Sequence, residues 1–205
     1  MKQKLRRNWL IGGVGCAVVL TGAIFGYREI FLQGIEELPE RPCGGAVQRA
    51  TAANILPPAH EVNMESHESP TDSFYFSCSL DTSDSMISAI VKQHDASVAA
   101  WRKYWRNELG DSYVEPPGKL HLLSGPNKTT IYLPCTPPGK KSKEAETAFA
   151  LDVEATVAGD SRVSGNELRQ QLSDFAVQAA RYSQRAAQCQ EQTELPSAAP
   201  RLPAG

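Results

Sequence analysis

Residues 73–81 read SFYFSCSLD, with Phe74, Phe76, Cys78 and Leu80 on alternate positions and small or polar residues between most of them. A period of two places those four side chains on one side of a pleated chain, which predicts a half-buried strand. Residues 86–93 repeat the pattern through Ile87, Ala89 and Val91, and Phe149, Leu151, Val153, Ala155 and Val157 carry it through a longer run. Residues 120–123 and 129–134 flank the turn sequence SGPNK at 124–128, a hairpin signature.

Elsewhere the period lengthens to that of a helix. Pro42 suits the first helical position, with Cys43, Val47 and Ala50 on one face up to the Pro57-Pro58 stop. After Asp95, a candidate N-cap, Val98, Trp101, Trp105 and Leu109 form an apolar stripe that Gly110 ends. Ser164 and Glu167 have the spacing of a capping box before a stripe through Leu168, Leu172, Phe175, Ala179, Tyr182, Ala186 and Cys189. Residues 57–72 are polar and Pro-bounded and read as a surface loop. The expected order is α-β-β-α-β-β-β-α. Its short connections predict an α+β fold, a two-layer domain with an antiparallel sheet of about five strands and helices on one face.

The 205-residue chain has one domain's worth of sequence, 41% of it hydrophobic. Its net charge of −2 hides an asymmetry. Lys2, Lys4, Arg6 and Arg7 stand in residues 1–8 without an acid, and the 17 bases and 23 acids beyond Tyr27 leave −6 there. An acidic domain lacks the clustered bases that nucleic acid requires, so no nucleic-acid partner is expected.

Between Trp9 and Tyr27 run 19 uncharged residues, WLIGGVGCAVVLTGAIFGY. As a helix they would span about 28 Å, close to the roughly 30 Å hydrocarbon thickness of a bilayer. With bases before the run and aromatic rings at both ends, the sequence predicts a single-pass anchor with a cytoplasmic N-terminus and an extracytoplasmic domain in the cell membrane. A cleaved signal peptide, with Gly22, Ala23 or Gly26 near the cleavage point, is the alternative; a lipoprotein assignment for Cys16 fails because Gly13 stands where a large aliphatic residue belongs. Gly22 and Gly26 form a GxxxG through which two such helices could pair as a homodimer. The expected divisions are a stub at 1–8, the membrane helix at 9–27, a connector at 28–41, the domain at 42–190 and a disordered tail at 191–205.

Four cysteines follow the apolar run: Cys43, Cys78, Cys135 and Cys189. An even number outside the cytoplasm implies a disulfide framework. Of three connectivities, Cys43–Cys78 with Cys135–Cys189 ties each helix to a strand, and Cys43–Cys189 with Cys78–Cys135 is its rival. The Cys-Gly at 43–44, FSC at 76–78, YLPC at 132–135 and a last helix ending at Cys189 resemble uncharacterised actinobacterial membrane-anchored proteins. Members of that group often carry the unit twice, against one copy here. The resemblance implies a compartment and assigns no catalytic residue.

Other clusters are weaker signals. His60, Glu61, Glu65, His67 and Glu68 lack the HExxH spacing of a zinc site and read as a solvated acidic loop. Trp101 and Trp105 suit core packing better than a glycan platform. Asp152 and Glu154 share a strand face as a glycosidase pair might, but alternation puts that face in solvent. Asn127-Lys128-Thr129 is a glycosylation sequon in a eukaryotic setting, and no GxSxG elbow is present. No cofactor or metal is expected. The sequence predicts a non-enzymatic binding module, held by the lipid bilayer through residues 9–27 and serving an envelope or membrane protein partner. A cell-envelope hydrolase with an unrecognised active site is the alternative.

Overall fold

The computed structural model describes residues 34–69, 73–118, 120–141, 149–191 and 193–203. The expected membrane helix at 9–27, with Gly22 and Gly26, lies outside them. Among the described residues no helix is long and apolar enough to cross a membrane.

The fold is α+β around a six-stranded antiparallel sheet. In chain order the elements are α1 (Arg49–Ile55), β1 (Asn63–Ser69), β2 (Tyr75–Asp81), β3 (Ser85–Asp95), α2 (Val98–Leu109), β4 (His121–Ser124), β5 (Lys128–Pro134), β6 (Phe149–Gly159) and α3 (Gly165–Ala186). The strands lie in the order β1-β2-β3-β6-β5-β4, two three-stranded meanders joined along β3 and β6.

Alternation places the core. On the inner face Ile87, Ala89 and Val91 stand opposite Val157, Ala155 and Val153, and Ile131 and Leu133 continue the layer. Phe76, Cys78 and Leu80 extend it toward β1. The helix α3 lays Leu168, Leu172, Phe175, Ala176 and Ala179 across this face, and α1 adds Ala52 and Ile55.

Several expectations change. Residues 63–69 form a sixth strand, β1, rather than a loop; they pair with β2 through backbone bonds although six of the seven residues are exposed. Helices occupy both faces: α2 carries the chain from central β3 to the far edge strand β4, and its Trp101 and Trp105 pack on Leu123, Tyr132 and Ala150 on the face opposite α3. Its cap is Ser97, whose side chain accepts from the Ala100 N–H at 3.2 Å, and β3 continues through Asp95. The first helix is broken: Pro42–Gly45 is a short turn with left-handed Cys43 and Gly44, α1 begins only at Arg49, and Ala50 is exposed. The Ser164 side chain makes no capping bond. The final segment packs on α3, with the Ala199 N–H on Asp174 Oδ1 at 2.7 Å, the Leu202 N–H on Gln170 Oε1 at 3.0 Å, and both residues buried.

Two bonds staple the layers. Cys43 is joined to Cys78, and Cys135 to Cys189, the first of the two connectivities set out above. Beyond α3 the chain turns through left-handed Gln188, with the Cys189 N–H on Gln184 O and the Gln188 N–H on Arg185 O, a Schellman ending that presents Cys189 to the sheet.

At the other end of β6, Gly159 has φ +78°, and a Cβ there would lie 2.0 Å from Asp84 O, in the β2–β3 turn. Gly159→Ala should therefore cost about 2 kcal/mol through left-handed strain and backbone collision. Chemical denaturation measures this, and a midpoint equal to the parent's would refute it.

Candidate functional site

Among the described residues, the outer face of the sheet is covered only in part. The helix α2 lies over β4 and β5 and shields a small second core of Trp101, Trp105, Leu123, Tyr132 and Ala150. Beside it β1, β2 and β3 present Glu65, His67, Tyr75, Ser77, Ser79, Ser88, Ile90 and Lys92 outward, and no helix of the described residues lies over them. A groove of about 440 Å³ follows the boundary, with Ile90, Lys92 and His94 from β3, Asp152 and Glu154 from β6, and Trp101, Tyr104 and Trp105 from α2.

Asp152 organises it. Its Oδ1 accepts from Trp101 Nε1 at 2.9 Å, Trp105 Nε1 at 3.1 Å and Thr130 Oγ1 at 3.1 Å, and Trp105 Nε1 also lies 3.1 Å from Oδ2. A buried indole N–H needs an acceptor, and the spacing of four residues on α2 sets both indoles on the face above β6. Burial pushes the Asp152 carboxyl above its ordinary pKa, outweighing the downward pull of these hydrogen bonds and of His94. Glu154, two residues on, is paired with Lys128 at 2.5 Å, and the same ammonium lies 5.3 Å from the centre of the Trp105 ring.

The wall is braced from behind. Tyr132 donates to Ala96 O at 2.9 Å and meets Trp101 edge-on at 5.8 Å. On the rear of α2, Glu115 accepts from Arg102 at 2.8 Å and Arg106 at 3.2 Å. Trp101 and Trp105 are 3% and 4% exposed, so neither can stack on a glycan, whereas Tyr104 is 56% exposed beside them. Asp152 and Glu154 therefore do share a cavity, because α2 supplies the second wall that alternation along one strand cannot reveal. Sequence reasoning missed the Asp152–indole link, for which the signal was two tryptophans on one helical face needing an acceptor.

The remaining candidates separate. Glu65 and His67 lie on the outward side of β1, and Glu68 on the other accepts from Tyr182 at 2.7 Å. Among the described residues no group of three His, Cys, Asp or Glu is placed to hold a metal. The four cysteines sit in the inner core, away from the groove.

Comparison with protein-family models, curated proteins and solved structures gives no match to this chain. The resemblance to anchored actinobacterial proteins rests on the cysteine motifs alone.

Proposed function

We propose that this protein is a non-enzymatic, membrane-tethered binding module that holds a segment of an envelope or membrane protein partner in the groove beside α2. The observation that carries this is the use of both carboxylates as structure. Asp152 Oδ1 takes bonds from three donors that tie α2 to the sheet, and Glu154 is ion-paired to Lys128, so both carboxylates already serve the architecture of the groove wall. What the groove offers a ligand is an aromatic edge at Tyr104, an apolar floor at Ile90, and Lys92 and His94 for polar anchoring. The anchor at 9–27 would set this surface outside the cytoplasm, since positive charge precedes the apolar run and acidic charge follows it.

A photo-crosslinking residue at Tyr104 in the full chain, expressed in cells, tests the groove. A discrete adduct from that position, absent when the probe replaces Asp111 and weakened by Ile90→Arg, is expected. Equal labelling from both positions would rule out a groove-bound partner. The hydrolase alternative is favoured by a raised, buried carboxyl beside His94, and predicts that Asp152→Asn abolishes turnover while leaving the adduct intact.

A further inference from the structure

We infer that Arg41, Arg181 and Arg185 form a docking patch for anionic phospholipid headgroups, which holds the domain against its own bilayer; this rests on the proposed anchor at 9–27. Arg181 and Arg185 are one helical turn apart on α3, and with Arg41 they line a recess of about 70 Å³ floored by Gly45 and Ala46. An adjoining recess of about 310 Å³ shares Arg41 and Gln48 and contains one carboxylate, Glu40. No ion pair among the described residues uses any of the three arginines, whereas Arg102 and Arg106 are both paired. Three guanidinium groups with no ion pair among the described residues, set around a recess, suit the fork geometry of a phosphate diester.

The chain's own path points to the bilayer as the source of that phosphate. Arg49, which lines the second recess, donates from Nη1 to Glu36 O at 2.7 Å and Leu38 O at 2.9 Å, so the connector leaves the domain beside the patch. Gly34 is fixed by its N–H on Ala59 O at 3.0 Å. Six residues, 28–33, separate it from the end of the apolar run at Tyr27. A chain of that length reaches at most about 25 Å, so Gly34 is held close to the headgroups and the domain with it. Arginines held near an anionic surface act together, and removing three should lower the docked-to-undocked ratio on the order of a hundredfold.

The test uses the full chain in nanodiscs of phosphatidylcholine alone or with phosphatidylglycerol, followed by hydrogen exchange over residues 41–49 and 178–186. Slower exchange in the anionic discs is expected, lost in the R41Q/R181Q/R185Q protein and in wild type at about 1 M salt, where the Debye length is near 3 Å. The salt arm decides the matter should the triple variant unfold. Equal exchange in both discs, with the chain inserted, would overturn the docking. Protection reproduced by inorganic phosphate in neutral discs would assign the recess to a soluble anion and overturn the lipid assignment. A chain that fails to enter either disc overturns the anchor itself, an outcome read separately by flotation.

Discussion

Cys189→Ser should lower the melting temperature by roughly 8–16 °C, because about 4 kcal/mol is at stake. The bond from Cys135 closes a loop with a sequence separation of 54. It also lies within a seam that depends on it. The Thr136 N–H and hydroxyl both donate to Glu191, the Gln190 N–H reaches Thr136 O at 3.0 Å, and Gln93 donates to Cys135 O at 3.3 Å. Cutting the bond frees the end of α3 from β5 and leaves a fully buried Cys135 thiol beside a hydroxyl. Cys16→Ser, outside the four bonded cysteines, should leave the transition where it is. Thermal unfolding of the full chain in detergent measures both, and peptide mapping without reductant should return a 43–78 and a 135–189 pair. A Cys189→Ser transition indistinguishable from wild type would show that the seam holds without the bond.

Asp152→Ala should cost about 3 kcal/mol, since it strands two indole donors and a hydroxyl in a partly dry site. Tryptophan emission should change with it, because both indoles lose a negative neighbour. Asp152→Asn keeps one acceptor oxygen and should cost less. The two variants also isolate a pH effect. The folded carboxyl binds its proton more tightly than the unfolded one, so the native state holds the excess proton between the two pKa values. Asp152 therefore destabilises the fold fully above its folded pKa, and that penalty fades as pH falls toward the unfolded value. The stability difference between wild type and Asp152→Asn should move in favour of wild type on acidification from neutral pH. A difference independent of pH would mean that the site is wetter than its burial indicates.

What the sequence revealed depends on whether burial leaves a period. The runs at Phe74–Leu80 and Phe149–Val157 alternate because one face meets α3, and their register follows from that alternation. NMESHES at 63–69 has no such signal, since this edge strand is held by backbone pairing to β2 and by polar contacts such as Tyr182 on Glu68, with six of its seven residues exposed. The stripe on α2 was plain, but a stripe does not say which face of a sheet it meets. That choice is made by Asp152, Thr130 and Tyr132 on the outer face, which are 22 to 51 residues distant from their partners in sequence. The tail at 191–205 reads as disordered because the tie of its residues 193–203 to α3 runs through backbone N–H groups on Asp174 and Gln170 rather than through an apolar pattern.

The Cys43–Cys78 bond also sets the mechanics of the domain. A pull applied at Gly34 first meets residues 34–42, held by the Ala59 carbonyl, the Arg49 guanidinium and the buried Ile35 and Leu38. Such contacts yield one after another, as a zip does. At Cys43 the load passes covalently into Cys78, midway along β2, whose neighbours are β1 and β3. From there the tension is carried through the sheet, and α1 with residues 44–77 is shielded inside the covalent loop. The groove beside α2, on β3 and β6, lies downstream of that shunt and would keep its shape while the leading segment peels.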